Sequence, residues 1–322
     1  MKKALVLILA MSLILGTIVG CAGNSAAREN GGSPAVNPPA AQTETQPEAQ
    51  PAAQPAAPTV DFNTSREITI VSRESGSGTR SAFVELTGVE VSVDGTSTDK
   101  TSPEAVIGNG TNAIMTNVAG DLYAIGYIST GSVDDSIKTI SIDGVEPTPA
   151  NILAENYKIA RPFIIVTLDS LDDAAEDFIA FIMSKEGQQV VADRYIPVDE
   201  NAPAFQTNSA SGTVVVGGST SVAPIMESLA EAYQAVNTAV KIEIHATGSG
   251  AGITGTIDGV VDIGMSSRNI RDTEMESLHQ QITIAMDGIA IIVNNDNPLT
   301  NLTMEEVREI YVGEKTRWSE VQ

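Results

Sequence analysis

Four times the chain repeats one local pattern: a short β-branched run, a loop of glycine, serine and threonine, then an apolar-periodic segment. Residues 67–71 (EITIV) run into SRESGSGTR at 72–80, and residues 213–216 (TVVV) run into GGSTS at 217–221. Residues 240–244 (VKIEI) lead to TGSGAG at 247–252, and residues 261–264 (VDIG) lead to MSSR at 265–268. Strands that alternate with helices at this spacing specify an α/β sheet. In an open α/β sheet, ligands bind beyond the carboxyl ends of the strands, where such loops converge. A Gly-rich turn entering a helix presents successive N–H groups as an anion-binding concavity. Arg73 adds a planar, charge-assisted fork suited to a carboxylate or an oxyanion. Any one of these loops is equally an ordinary surface turn; four of them beside Arg73 and Arg80 point to a shared oxyanion site. Pro224, in the first turn of a helix predicted over 225–233, fits the same scheme.

Composition narrows the function classes. The chain has 322 residues, 42% of them hydrophobic, and a formal net charge of −23. That length holds one two-lobed protein or two small domains with cores of their own. The acidity repels nucleic acid and anionic membrane as partners, and it leaves any bound anion to local donors. His245 and His279 stand far apart, without the spacing of a metal site, and there is no GxSxG, HExxH or Walker motif. No enzyme activity, metal or cofactor is therefore expected. Asp134-Asp135 and Asp172-Asp173 read as solvated faces or caps. Ser170-x-x-Asp173 and Thr303-x-x-Glu306 read as capping boxes, the second helix closing at Gly313. Trp318, the single Trp, reads as packing.

The N-terminus carries a targeting pattern. Lys2 and Lys3 precede an apolar run over 4–19, and IVGC ends at Cys21, the chain's only cysteine. This layout is that of a signal peptide over 1–21, and its last residues resemble a lipobox, in which Cys21 becomes the lipidated N-terminus. The run is also marginally long enough for a transmembrane anchor; the position of the lone Cys favours lipidation, and it excludes an intramolecular disulfide. Residues 22–60, rich in Pro, Ala and Gln, cannot bury a core and read as a disordered tether. The expectation is a domain over 61–322, lipid-anchored on the extracytoplasmic side of the cell membrane.

Longer runs carry a family resemblance. GTVVVGGSTSVAPIMESLAEAY, HATGSGAGITGTIDGVVDIGMSSR, MDGIAIIVN and LTMEEVREIYVGEKTRWSEV resemble the phosphate-binding lipoprotein of the phosphate-specific ABC transporter. So do ITIVSRESGSGTRSAF, AGDLYAIGYISTGSVDD, ISIDGVEPT and FIMSKEGQQVVADRYIPV, and together these runs cover nearly all of 66–322. The resemblance implies the α/β fold of a type II periplasmic binding protein, with two lobes, two hinge strands and a ligand in the cleft. In that family the GGSTS half precedes the SRESGSGTR half; here the order is reversed. The sequence thus reads as a circular permutant, its former termini joined through 199–211, the alternative being a fragment of a longer or tandem gene. Lobe A is expected over about 168–284 and lobe B over about 66–158 plus 295–322, with hinge strands at 159–167 and 285–294.

Carried over residue by residue, the family's phosphate contacts fall on Arg73, Ser77, Gly78, Thr79, Thr220, Ser221, Ser249 and Ser267. Some relatives have Asp where this chain has Ser267, so Asp287 and Glu74 become candidates for the acceptor that hydrogen phosphate needs and sulfate does not. Arg268 stays open between a ligand contact and a salt bridge at the cleft rim. The implied partners are inorganic phosphate and an ABC transporter permease, with the membrane reached through the lipid anchor only. A monomer is expected, a domain-swapped dimer being the alternative. The other functional reading is a tethered phosphate sensor or surface interaction protein not coupled to transport.

Overall fold

The computed structural model describes residues 61–94 and 96–321; the expected signal peptide, Cys21 and the tether lie outside them. Eight strands form the body of one mixed sheet: β1 (Thr69–Arg73), β2 (Val106–Gly108), β3 (Ala124–Ser129), β4 (Ala160–Thr167), β5 (Gly212–Gly218), β6 (Val240–Ala246), β7 (Ile263–Ser266) and β8 (Gln280–Val293). Their order across the sheet is β6-β5-β7-β4-β8-β3-β1-β2. The order is symmetric about the central β4–β8 pair. On one flank β5 runs parallel to β6 and β7; on the other, β1 runs parallel to β2 and β3. β4 joins β7, and β8 joins β3, antiparallel.

Helices fill the crossovers, as parallel neighbours require. They are α1 (Gly78–Leu86) and α2 (Thr111–Gly120) on one flank, and α5 (Ala223–Val236) and α6 (Ser249–Ile257) on the other. α3 (Asp173–Ile182) and α4 (Lys185–Ala192) pack with α5 on the second flank, and α7 (Met304–Tyr311) follows β8. Each flank has its own core. One gathers Phe163, Phe178, Phe181, Met226 and Tyr233; the other gathers Phe83, Tyr127, Ile291, Tyr311 and Trp318. Two lobes therefore share a central strand pair, the two-lobed α/β architecture expected from the sequence. β8 pairs with β4 from Gln280 to Gly288 and then with β3 from Ile289 to Val293, so one continuous strand serves both lobes. Residues 289–293 are wholly buried, and an unbroken apolar run is what a strand covered on both faces needs.

Several local expectations shift. The strand before SGSGTR is Thr69–Arg73 rather than 67–71, because Glu67 is taken into a bridge with Arg317. The strand expected at 261–264 is Ile263–Ser266, since the Asp262 carboxylate turns to accept the Val215 N–H at 2.8 Å. Ser170 does not cap α3: Asp172, next to the first helical residue, accepts the Ala175 N–H at 2.8 Å. The Thr303–Glu306 capping box is present, and Gly313 takes φ +82° just past the C-cap of α7. The segment at 199–211, expected to be a join, is stitched down along part of its length. Asp177 on α3 accepts the Thr207 hydroxyl at 2.8 Å and the Asn208 N–H at 2.7 Å, and Phe205 meets Phe181 edge-on at 5.2 Å.

Candidate functional site

The symmetric sheet brings the loops after β1, β2, β5, β6 and β7 to one place. Three of the helices entered there lack a side-chain cap. Val222 before α5, Gly248 before α6 and Gly110 before α2 offer nothing to the first-turn N–H groups, and both glycines have positive φ, +100° and +82°. Such uncapped ends leave several donors for whatever lies in front of them. The fourth helix, α1, is capped: the Ser77 oxygen accepts the Arg80 N–H at 3.2 Å, which leaves the Ser77 proton free to donate.

Seven of the eight expected contact residues converge across the lobe boundary. Arg73, 1% exposed, donates through Nη2 to the Thr220 hydroxyl of the opposite lobe at 2.8 Å. Its Nε and Nη2 also bind both oxygens of Glu74, each at 2.8 Å. The remaining nitrogen, Nη1, is buried and has no hydrogen-bond partner. Thr79 and Ser221 share a hydrogen bond of 2.8 Å between lobes. Ser219 donates to Ser267 at 2.9 Å, and the Ser267 N–H donates to the Ser249 hydroxyl at 3.1 Å. Gly78 faces these serines so closely that a Cβ there would stand 2.7 Å from the Ser267 hydroxyl oxygen and closer still to that of Ser249. The Gly250 N–H closes on the Gly76 carbonyl at 3.0 Å. Ser77, the eighth, lies at the same loop with its oxygen given to the cap.

The backbone behind Arg73 is buttressed. Tyr127 stacks on Phe83 with ring centroids 3.9 Å apart, and its hydroxyl meets Ser72 at 2.8 Å and accepts the Arg73 N–H at 3.3 Å. Glu74 also accepts the Gly110 N–H at 3.1 Å. Burial pushes the Glu74 carboxyl up, but the hydrogen bond and charge of Arg73 outweigh it and hold it below the ordinary value of 4.5.

Of the acceptor and rim candidates, Glu74 lies against Arg73, whereas Asp287 and Arg268 stand one contact further out. Asp287, on β8, is 1% exposed and accepts the hydroxyls of Ser129 at 3.0 Å and Thr130 at 2.9 Å. Its other oxygen accepts Nη2 of Arg161 at 3.1 Å. Arg161, on β4, in turn donates through Nη1 to the Thr79 hydroxyl at 3.0 Å and to the Ser267 carbonyl at 2.6 Å. Asp287 thus meets the cluster through Arg161. Burial lowers the Arg161 guanidinium to about 10 against the opposing charge of Asp287, and burial likewise raises the Asp287 carboxyl. Arg268 is held by both oxygens of Glu274, at 2.8 and 2.7 Å, in a rim salt bridge. Arg80 pairs with Asp99 at 2.7 Å and donates to the Arg73 carbonyl at 2.8 Å. Arg80, Arg268 and Arg271 line a cavity of about 920 Å³ at the mouth.

Sequence reasoning missed Arg161, Ser219 and the loop at 108–111. Arg161 carried a signal, a lone charge entering an apolar strand, because a charge is rarely buried unless it is paired. GNGT at 108–111 repeats the glycine–hydroxyl pattern, and Thr111 reaches the Thr220 and Ser221 hydroxyls at 3.4 and 3.5 Å.

Comparison with known proteins agrees with this architecture. A family model described as the PBP superfamily domain matches residues 46–186 and 203–322. The chain is 46% identical over 257 residues to phosphate-binding protein PstS 2 of Streptococcus agalactiae serotype V, covering 79% of this chain and 87% of that one. It is 42% identical to a phosphate ABC transporter, phosphate-binding protein of known crystal structure from Streptococcus pneumoniae TIGR4, covering 80% of this chain and 100% of that one with a TM-score of 0.65. Against phosphate-binding protein PstS of Staphylococcus saprophyticus the match is 36% over 117 residues, 34% of this chain and 37% of that one.

Proposed function

The chain belongs to the PBP superfamily and, within it, to the phosphate-binding proteins of PstS type, and from that premise we propose that it captures inorganic phosphate between its lobes for delivery to an ABC transporter permease. The observation that carries this reading is the unpartnered, buried Nη1 of Arg73, a residue whose Nη2 already reaches the Thr220 hydroxyl of the opposite lobe. In a chain of net charge −23, an anion must be held by local donors, and here they converge from two lobes. No bond is made or broken; lobe closure replaces the ion's water shell with fixed dipoles. The contacts assigned to phosphate are Arg73, Ser77, Gly78, Thr79, Thr220, Ser221, Ser249 and Ser267.

The reversed order of the halves fits a circular permutation shared with the streptococcal relatives. A reordered chain aligns along its length with relatives of the same order and over one half at most with others. The matches over 257 and 117 residues have those proportions. The pinned segment at 199–211 would be the join. Cys21 and the residues that follow it would anchor and tether a monomer on the extracytoplasmic side. Titration calorimetry with inorganic phosphate tests the binding reading. Saturable binding of one ion per chain is expected, and no heat at millimolar phosphate would defeat it.

A further inference from the structure

We propose that Arg161 is a positioning residue of the phosphate site, one that sets the Thr79 hydroxyl and the Ser267 loop in register from the central strand pair. The inference rests on the phosphate reading above. Arg161 stands on β4, in the middle of the sheet, 2% exposed beside the fully buried Phe163. An ion pair serving stability alone would end at Asp287, which is itself fixed by Ser129 and Thr130. Instead the guanidinium forks. Nη2 is held by Asp287, while Nη1 reaches Thr79 on one lobe and the Ser267 carbonyl on the other. One side chain therefore contacts both jaws and both central strands.

The direction of the protons gives this contact its consequence. A guanidinium has no acceptor, so Thr79 Oγ1 must accept from Arg161, and the Thr79 proton is turned toward Ser221 or into the cleft. The Ser267 oxygen likewise accepts from Ser219, leaving its own proton to donate. Arg161 thus biases the Thr79 hydroxyl toward donation, as an oxyanion oxygen requires, and fixes the backbone that carries Ser267. Lysine cannot do the same, because its ammonium is a point donor without the planar fork.

The test is a double-mutant cycle read by phosphate titration calorimetry. Arg161→Lys is expected to weaken phosphate binding about ten-fold or more, as loss of a charge-assisted hydrogen bond does. In a Thr79→Val background the same substitution should cost at least about three-fold less than in wild type, because its contact with the Thr79 hydroxyl is gone and only its hold on the Ser267 carbonyl remains. Losses that multiply independently, or an Arg161→Lys protein within about two-fold of wild type, would overturn the inference. Since a single change at a buried pair can prevent folding, the paired Arg161→Gln/Asp287→Asn protein, which removes both charges together, is measured alongside with its thermal melt. Near-native melting with about ten-fold weaker binding supports the role, and wild-type affinity overturns it. A wild type that binds no phosphate brings down the functional reading and this inference with it; a wild type that binds, with independent losses, brings down this inference alone.

Discussion

Arg73→Ala should weaken phosphate binding far more than Arg80→Ala, although the two residues flank one loop, Arg73 at the end of β1 and Arg80 in the first turn of α1. The Arg73 side chain is 1% exposed, bridges to Thr220 of the other lobe and leaves Nη1 free for the ligand. Truncating one partner of a buried, hydrogen-bonded charge contact costs about 2–5 kcal/mol, which is roughly 30-fold to a few thousand-fold in Kd. Arg80 is 22% exposed, its partner Asp99 is 29% exposed, and it reaches the site only through the Arg73 carbonyl. A surface pair of that kind contributes about 0–1 kcal/mol, up to about five-fold. Calorimetric titration of both variants at moderate salt decides the matter. Comparable losses, or a larger loss for Arg80→Ala, would move the anion to the cavity at the cleft mouth and refute the reasoning.

Three further outcomes follow from the same geometry. Gly78→Ala should leave the melting temperature nearly unchanged but weaken phosphate binding by about 1–3 kcal/mol, since the nearest atoms an added Cβ would meet belong to Ser249 and Ser267 of the opposing lobe; small-angle scattering should show a more open particle in saturating phosphate than wild type. Asp177→Ala should lower stability in urea by about 3 kcal/mol or more, because its carboxylate also accepts the buried Tyr233 hydroxyl at 2.8 Å and each hydrogen bond to a charged group contributes about 1.5–3 kcal/mol; phosphate affinity should change little. Acid should destabilise the fold. Glu74, Asp99, Asp177 and Glu274 all have carboxyls held below their ordinary values by hydrogen bonds that outweigh burial, so their stabilisation is complete above the ordinary 3.8 and 4.5 and disappears as pH falls through the depressed values. Asp287, raised by burial, acts in the opposite sense, its contribution fading as pH rises through its raised value. Thermal melts between pH 7 and 3 should therefore fall at the acid end, and a flat profile would contradict the assignment.

What could be read from the sequence divides along a physical line. Elements with a local cause were legible: the Thr303–Glu306 box, the helix holding Pro224 near its start, and the glycine–hydroxyl loops whose chemistry is written in consecutive residues. Register was less so, because a strand edge depends on a partner far along the chain. Glu67 is drawn off by Arg317, and Asp262 turns back to Val215. The α3 cap went to Asp172 because Ser170 and Asp172 both suit a cap and only the chain path decides between them. At the site, Arg73, Thr79 and Ser267 were accessible through motifs, whereas the path from Asp287 through Arg161 to Thr79 joins residues on two strands and a helix start. No local pattern encodes that path; only the side-by-side placement of β4 and β8 does.

The central claim is that one phosphate sits between the lobes, held by donors from both. A crystal structure of the protein grown with inorganic phosphate tests it most directly. A phosphate is expected within hydrogen-bond distance of Arg73 Nη1 and of the hydroxyls of Thr79, Ser221, Ser249 and Ser267. A phosphate bound instead among Arg80, Arg268 and Arg271 at the cleft mouth, with the Arg73 guanidinium still lacking a ligand contact, would contradict it.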